Sequence, residues 1–575
     1  MQITQSYAKP SAATIRPDGM EFSLSTEAHR PIVALQAMVS DSLAYARVML
    51  ALHEVVSSDL RFAEKDHTAY QEWVQARYLE ELDDVMGDRL RALPAQQEEL
   101  AQLKEKVAPL KKRERELWGK IEGGDLWKAK GRYWKWLLVH NKALWWILDP
   151  VVSVHPDATI FEVFSRDESS YARVTVPASK LQTMGETIYG TTNVDFSARL
   201  ADELRRVRDY RPAFLGVGGE GVSIQTTAGQ QFEKKIDLPP SWVRGFLQVQ
   251  SAASLPGVEV MLSSGTVAEI LLALRKQREK ASPRSLRFHL VPGEKPRIEI
   301  EPWNVVIQEQ EYCFAGESAE EIRVWGRRRL FSLETLLPHA EQVKVKLLGT
   351  GMPSYWSVEC KEHRFDLGLS GWTENDWSAA ARFDLLASTK EVSAGDIEVA
   401  ASRLEKALKI TPPELTDISD LSRESAASAL QALCREGRAM FDIVSGEYRW
   451  RKLLAFPVPA SPEDKKLASA RRWIGEGNVK CEELKPAQIT EFLQRHAQSG
   501  ARLFGARVKT EGGVFEPTVG LNEDGRATFA QCTCGEFKRD KLRRGPCAHI
   551  LATSALASQK LEVGSGDAEL FKGET

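Results

Sequence analysis

Three cysteines and a histidine near the end of the chain constrain its fold more than any other feature. Cys532 and Cys534 are one residue apart, and after twelve further residues Cys547 and His549 repeat that spacing. Three thiols and one imidazole are a complete ligand set for a tetrahedral zinc ion. All four positions are filled by protein, so the pattern predicts one structural Zn²⁺. The alternative, four reduced side chains without metal, leaves unexplained why three of seven cysteines fall within sixteen residues.

The residues between and after these ligands predict a basic loop followed by a helix. Pro546 stands where the first turn of a helix tolerates proline, and the run from Ile550 to Ala557 is apolar. Against Glu536 and Asp540, the loop carries five cations: Lys538, Arg539, Lys541, Arg543 and Arg544. Such a cluster suits phosphate binding or docking on an acidic protein surface, and a simple solvated loop is the third interpretation.

This arrangement resembles the SWIM zinc finger, whose pattern is Cys-x-Cys, a variable spacer and Cys-x-His. The resemblance covers roughly residues 500–557. It implies nucleic-acid or protein binding and does not choose between them. Bacterial proteins that look like this one, with a C-terminal SWIM finger on a large α/β body, imply a further alternative. In that alternative the chain is an adaptor or scaffold subunit of an ATP-driven system, with an AAA+ ATPase of the MoxR type or a helicase-like ATPase as its partner.

Bulk properties exclude several classes of protein. A chain of 575 residues is too long for one hydrophobic core, so several domains are expected. The net charge of −3 argues against a protein that coats nucleic acid over its whole surface. No signal-peptide pattern and no run of 18 uncharged apolar residues occurs, which predicts a cytoplasmic protein without a membrane span.

The first quarter of the chain predicts mainly helix. Residues 1–30 are polar and are expected to form a loose arm or a strand pair, and residues 31–149 have helical periodicity. A short coiled-coil-like segment follows Pro94, where a helical hairpin is favoured over an intermolecular coiled coil. In residues 126–148 tryptophans alternate with Lys and Arg, which suits a core helix, a nucleic-acid contact or a membrane surface.

Residues 150–392 predict an α+β region with an antiparallel sheet. Strands pass directly into capped helices in a unit that recurs, as in residues 171–184 and 258–277. These strand–helix–strand–strand units resemble those of sliding clamps. The Gly-rich stretch 216–221 has the glycine spacing G-x-G-x-x-G of a phosphate-binding loop. Such a loop needs a helix after it, and a strand is predicted there, so a hairpin turn is expected.

Residues 393–455 predict three helices and a hairpin, the order of a winged helix. The third helix begins after Ser422 and ends at Gly437. If this domain binds DNA, its contacts are expected to be Arg423, Arg435, Arg438, Arg449, Arg451 and Lys452. Docking on a protein and a purely structural role are the alternatives, because the exposed face of the third helix offers few side chains that read bases.

The remaining segments complete a multidomain α+β protein. A helical linker is expected over residues 456–500, the SWIM finger over 501–558 and a tail over 559–575. No nucleophile–base pair, carboxylate pair or open metal site stands out, so no enzymatic activity is expected. We therefore expect a zinc-finger protein that binds nucleic acid, most simply DNA, through a winged helix and a basic SWIM loop, with the adaptor role as the alternative.

Overall fold

The computed structural model describes residues 12–16, 19–25, 33–58, 109, 150–193, 201, 204–208, 213–218, 240–277, 284–371, 376–377, 382–387, 392–443, 445–453, 465–490, 493 and 501–570. Two compact units divide the chain, one of residues 1–58 with 148–575 and one of residues 59–147. The predictions of a coiled-coil-like segment and of a Trp- and Lys-rich helix fall outside the described residues. Within the described ranges, no helix is both long enough and apolar enough to cross a membrane.

The N-terminal part contributes strands to two sheets. Its elements are β1 (Ala12–Arg16), β2 (Gly19–Ser25), β3 (Leu35–Val39), α1 (Ser42–Ser57), β4 (Val151–Val154), β5 (Ala158–Phe164), β6 (Ser170–Pro177), β7 (Leu181–Thr183), β8 (Gly190–Asn193) and β9 (Ala213–Gly218). One five-stranded sheet has the order β1-β2-β9-β3-β7. Strand β3 corrects the prediction of continuous helix from residue 31, because its residues alternate between buried and more accessible positions with the period of a strand.

The central part builds the largest sheet. Its elements are α2 (Pro240–Ser254), β10 (Val258–Leu262), α3 (Ser264–Lys276), β11 (Leu286–Leu290), β12 (Arg297–Ile300), β13 (Val305–Gln308), β14 (Glu320–Val324), β15 (Gln342–Leu347), β16 (Ser354–Cys360), β17 (His363–Leu369) and α4 (Asp384–Ala387). Eight strands follow the order β10-β15-β16-β17-β6-β5-β4-β8, and four follow β13-β12-β11-β14. The predicted antiparallel α+β architecture is therefore present.

Of two predicted strand–helix units, one is present as predicted and the other is not. The unit at residues 258–277 is a strand followed by a helix, and Ser263 caps that helix by accepting the backbone N–H of Thr266. After β6, however, a single 3₁₀ turn at Ala178–Lys180 leads straight into β7, so the helix expected there is absent from the described residues. Strand β7 pairs antiparallel with β3, with Leu181 opposite Val39, and this pairing outweighs the local helical pattern.

Three helices and a small sheet follow; the three helices and the strand pair after them were predicted, and a third strand between the first two helices was not. They are α5 (Ala394–Ala407), β18 (Lys409–Ile410), α6 (Pro412–Asp417), α7 (Arg423–Arg435), β19 (Ala439–Phe441) and β20 (Tyr448–Trp450), and the strands form a sheet of order β18-β20-β19. We call residues 394–453, which contain these elements, the three-helix unit. Ser422 accepts the backbone N–H of Ser425 and so caps α7, as predicted.

The C-terminal part is one sheet covered by helices. Its elements are α8 (Lys465–Gly475), β21 (Val479–Glu483), β22 (Arg502–Thr510), β23 (Gly513–Phe515), β24 (Thr518–Leu521), β25 (Ala527–Gln531), α9 (Gly535–Asp540) and α10 (Ala548–Leu570). Strand β22 pairs with β21, β23 and β24. The expected helical linker is therefore wrong in part: α8 is present, but β21 joins the sheet of the finger. Within the expected tail, α10 continues to Leu570.

Candidate metal centre

A β-hairpin and a short helix position the first two ligands. Cys532 follows the last residue of β25, and Cys534 is the N-cap of α9. The Sγ atom of Cys534 accepts the backbone N–H of Phe537 at 3.3 Å, and the Sγ atom of Cys532 accepts that of Cys534 at 3.5 Å. Backbone donors aimed at sulfur stabilise a thiolate, which is the form that binds zinc.

The start of α10 positions the other two ligands. Cys547 immediately precedes the helix, and His549 lies in its first turn. One ligand atom from each of the four residues lies within 4.8 Å of all the others. Zn–S bonds of about 2.3 Å place tetrahedral sulfurs roughly 3.8 Å apart, so these side chains close on an ion with small shifts. The three cysteines are buried and the histidine is half-buried.

The chemistry of the donor set fits zinc. Within the described residues, the Nδ1 atom of His549 is buried and has no hydrogen-bond partner, which a metal ion would supply. Without a cation, a hydrogen bond with Cys532 and burial raise the pKa of the Cys547 thiol to about 12, and burial raises the pKa of Cys534. A coordinated thiol loses its proton outright, so these residues would bind zinc with release of protons.

Two aromatic rings outside the ligand motif hold the histidine. The Trp473 ring, from α8, stacks on His549 with a centroid distance of 5.0 Å and an interplanar angle of 12°. The Phe515 ring, from the end of β23, lies 4.4 Å from the same imidazole at 42°. Sequence analysis missed both residues, because neither has a spacing that relates it to the ligands.

The basic loop between the ligand pairs is largely exposed. Lys538, Arg539, Lys541 and Arg544 are exposed, whereas Arg543 is partly buried with its side chain against Gly351. Arg539 pairs with Asp540 at 2.9 Å, and the Lys541 ammonium lies 5.1 Å from the centre of the Phe537 ring. Such exposed contacts hold a side chain only weakly, so these cations stay accessible to a ligand.

Helix α8 adds positive charge beside this loop. The ammonium of Lys466 lies 2.6 Å from a carboxylate oxygen of Glu536 and donates to the carbonyl of Pro546 at 3.1 Å. Lys465, Arg471 and Arg472 of the same helix are exposed. Lys465 and Arg472 are seven residues apart, so they share a face. The signal for this surface was present in the sequence as KK and RR pairs within one helix.

The structure corrects two of the predicted DNA contacts. The Arg451 side chain is 1% exposed and pairs with Glu162, and Arg449 is 7% exposed and pairs with Asp157 at 2.8 Å and Asp442 at 3.3 Å. Both guanidinium groups are buried, and their ion pairs with Asp157 and Glu162 join the three-helix unit to the part of the chain that forms the large sheet. A nucleic acid cannot reach them from solvent.

The other predicted contacts of the three-helix unit lie nearer the surface. Arg423 pairs with Glu523 and Asp524, and Arg438 pairs with Glu398 at 2.6 Å. Arg435 is partly buried, and Lys452 is 60% exposed. Helix α7 itself is buried along most of its length, with Gln431 donating to the Ser251 hydroxyl of α2 at 2.5 Å. Its surface is therefore closed to a DNA groove.

Comparison with solved structures finds chains of PCNA. The similar chains belong to three structures: that of the C-terminal region of FEN-1 bound to A. fulgidus PCNA, that of PCNA from Thermococcus kodakaraensis and that of the proliferating cellular nuclear antigen from Entamoeba histolytica. Identities are 13%, 11% and 10%, with TM-scores of 0.28, 0.26 and 0.26. The matches cover 40%, 38% and 38% of this chain and 90%, 89% and 88% of those chains. At these TM-scores the likeness carries no argument, so the resemblance of the strand–helix units to sliding clamps stays a prediction.

Sequence comparison identifies the metal centre. No curated protein matches the chain. The family model of the SWIM zinc finger matches residues 518–555, a range that contains all four ligands and the basic loop. The resemblance predicted from the Cys-x-Cys and Cys-x-His pairs is confirmed, and so is the complete set of protein ligands for one ion. The C-terminal part of this chain therefore carries a SWIM zinc finger with one structural zinc ion.

Proposed function

We propose that this chain is a non-enzymatic zinc-finger protein that binds nucleic acid through the basic surface of its C-terminal part. The surface consists of the exposed cations of the SWIM loop and of α8: Lys465, Arg471, Arg472, Lys538, Arg539, Lys541 and Arg544. The observation that carries the proposal is the Lys466–Glu536 ion pair, because it fixes α8 against α9 and so joins two short basic segments into one surface. Clustered cations bind phosphate backbones without regard to sequence.

The zinc ion has an architectural role in this proposal. Its four positions are taken by protein ligands, which leaves no place for an activated water. When bound, the ion fixes the ends of the basic loop, because Cys534 immediately precedes the loop and Cys547 follows it. The fixed ends hold the cations of the loop in one orientation for a phosphate backbone.

The three-helix unit, which was predicted as a winged helix, supports the C-terminal part in this proposal and does not itself contact the bases. Its third helix is buried and two of its six predicted contacts are buried in ion pairs, so groove reading by α7 is not part of the proposal. DNA affinity should therefore depend on the SWIM loop and α8, and it should discriminate little between sequences.

A salt titration of binding tests the proposal. We expect the zinc-loaded chain to bind a fluorescent DNA duplex, with log K falling steeply as log salt concentration rises, by about 0.9 per neutralised phosphate. Changing Lys538, Lys541 and Arg544 together to alanine should weaken binding and reduce that slope by roughly 2 to 3. Lys452→Ala is the matched control, since this cation is 60% exposed but belongs to the three-helix unit.

The outcomes separate the proposal from its alternatives. No binding at low salt by the zinc-loaded chain contradicts it. An unchanged slope in the triple variant with a reduced slope in Lys452→Ala would place the contacts on the three-helix unit instead. A single-stranded oligonucleotide of equal length, titrated in parallel, tells which form of nucleic acid the surface prefers.

One observation favours the adaptor as a second candidate. Three large apolar side chains are exposed within six residues of the segment that joins β7 to β8: Met184 (44%), Ile188 (39%) and Tyr189 (52%). Apolar side chains grouped at a surface are typical of protein contacts. In this candidate, a protein partner such as an ATPase covers the segment. Co-purification of an ATPase with the parent chain, and its loss from Tyr189→Ser, would support the adaptor role.

A further inference from the structure

We infer that Trp473 and Phe515 are positioning residues of the zinc centre, clamping the His549 imidazole from outside the SWIM motif. Both lie upstream of residues 518–555, the range that the family model matches. The zinc-binding unit would then begin at α8, more than forty residues before the motif. This inference rests on the metal centre and not on the proposed nucleic-acid function.

The geometry of the clamp distinguishes it from ordinary core packing. The Trp473 ring is nearly parallel to the imidazole, at 12° and 5.0 Å between centroids, and the Phe515 ring lies 4.4 Å from it at 42°. A flat ring in contact with two aromatic rings cannot turn about its own side-chain bonds without losing contact with them. The direction of the nitrogen that meets the metal is therefore fixed by the two rings.

The histidine needs such support more than the cysteines do. The Cys532 and Cys534 sulfurs accept backbone N–H groups and are buried, as is Cys547. His549 is half-buried, and its Nδ1 atom, which has no hydrogen-bond partner within the described part of the chain, is the nitrogen that would meet the metal. Metal-bound histidines are usually oriented by a hydrogen bond to their second nitrogen. In this centre the two aromatic rings contact the imidazole itself and so restrict its orientation.

Each ring is held by contacts that do not involve the metal. Helix α8 packs on α10 through Ala470, which is buried in a cluster with Leu551 and Ala552. Strand β23 pairs with β22 in the register Val508 to Phe515. These contacts hold the Trp473 ring on the helix that carries His549 and the Phe515 ring on the sheet, so both rings are positioned beside the imidazole by the packing of the finger.

Zinc release from the full chain tests the inference. The variants are Trp473→Leu and Phe515→Leu, which remove one ring each, and the probe is transfer of zinc to an excess of a chromophoric chelator. We expect each variant to release zinc about 10- to 100-fold faster than the parent chain, the range seen when supporting partners of a metal ligand are removed. Val514→Ala is the matched control, since Val514 is adjacent to Phe515 and 54% exposed.

Cobalt substitution and conservative variants separate positioning from general loosening. The absorption bands of Co²⁺ report ligand geometry, so both leucine variants should shift or broaden them while the control keeps the parental spectrum. Trp473→Phe and Phe515→Tyr retain a flat ring and should restore both the spectrum and the slow release.

Two results would overturn the inference. One is zinc release at the parental rate with an unaltered cobalt spectrum in both leucine variants. The other is release from Trp473→Phe and Phe515→Tyr that is as fast as from the leucine variants, because ring stacking would then not be the cause.

Discussion

Arg526, in the turn between β24 and β25, donates a hydrogen bond to the hydroxyl of Tyr448 in the three-helix unit at 3.0 Å. Its second terminal nitrogen donates to the carbonyl of Ser254 at the end of α2, also at 3.0 Å. The guanidinium is 9% exposed and lies about as far from the Phe441 ring as from that of Tyr448, at 5.9 and 6.0 Å. One buried arginine therefore joins the hairpin of the zinc finger to two other parts of the fold.

Arg526→Ala should weaken the attachment of the finger. The change leaves the Ser254 carbonyl and the Tyr448 hydroxyl without a donor and should lower the free energy of unfolding by about 2–4 kcal/mol. Urea unfolding followed by tryptophan fluorescence measures the loss, and separate transitions for finger and body would show that their coupling is broken. Arg507→Ala, at a side chain that is 74% exposed, should change stability by less than about 1 kcal/mol.

Asp442→Asn should be among the most destabilising single changes. The Asp442 carboxylate contacts Arg173 at 2.6 Å, Arg364 at 3.0 Å and Arg449 at 3.3 Å, and these cations hold its pKa well below the usual range despite burial. Removing the negative charge leaves three guanidinium groups to share Asp366 and Asp157 as carboxylate partners, at a cost of about 3–5 kcal/mol. Equilibrium unfolding at neutral pH gives the value, and a loss below roughly 1 kcal/mol would contradict this account.

Acidification should destabilise the protein partly through His155. Burial, with the nearby charge of Arg449, lowers the pKa of this imidazole from 6.5 to about 4. The folded state therefore prefers the neutral ring, and the unfolded chain takes up a proton first as pH falls. The contribution is complete above pH 6.5 and declines towards pH 4, by at most about 1.4 kcal/mol per pH unit.

His155→Gln removes this titration and supplies the measurement. Urea midpoints of parent and variant, taken at intervals from pH 7 to pH 4.5, should converge as the pH falls, because only the parent loses the contribution. Parallel curves over this range would show that His155 has the same proton affinity in both states.

Gly545→Ala should disturb the basic loop. Gly545 has φ of +90°, a conformation that L side chains rarely adopt, and an added Cβ would lie 2.6 Å from the Arg382 carbonyl oxygen. The left-handed backbone alone costs about 1–2 kcal/mol, and the contact with a backbone atom adds to it. Differential scanning calorimetry should show a lower midpoint. Gly535→Ala is the matched control, since an added Cβ there meets nothing within 4 Å.

Cys547→Ser should remove zinc and unfold the finger. Binding of structural zinc is coupled to folding, so metal loss should expose β22 to β25 and the start of α10 to proteases. Mass spectrometry of the metal content and of the cleavage sites measures both effects. Cys313→Ser, at an exposed cysteine outside the ligand set, should keep the metal. Retention of zinc by Cys547→Ser would remove this residue from the ligand set.

Local chemistry explains why the metal site could be predicted from the sequence. Cysteine and histidine spacing determines which side chains can meet at one ion, whatever the rest of the fold does. The caps at Ser263 and Ser422 were predictable for the same reason, because a cap depends on residues three positions apart.

Contacts between distant segments explain the errors. Arg449 and Arg451 are basic residues in a predicted hairpin, which is typical of a DNA-contacting wing. Nothing near them in the sequence indicates that they form ion pairs with Asp157 and Glu162, almost 300 residues earlier. Strand β21 was missed because its residues are largely polar and exposed, and pairing with β22 stabilises it. Trp473 was missed because it contacts His549 through the packing of two helices that are distant in the sequence, and no local pattern indicates that packing.

The aromatic clamp has a practical consequence for anyone who wishes to isolate the metal-binding unit. A recombinant fragment cut at the edges of the family match, residues 518–555, would lack α8, β21, β22 and β23. Its histidine would lose both ring contacts, and β24 would lose its neighbour β22. A fragment that starts ahead of residue 465 and extends to residue 570 retains both rings and the whole sheet, and it gives up the contacts of Arg526 with Ser254 and Tyr448.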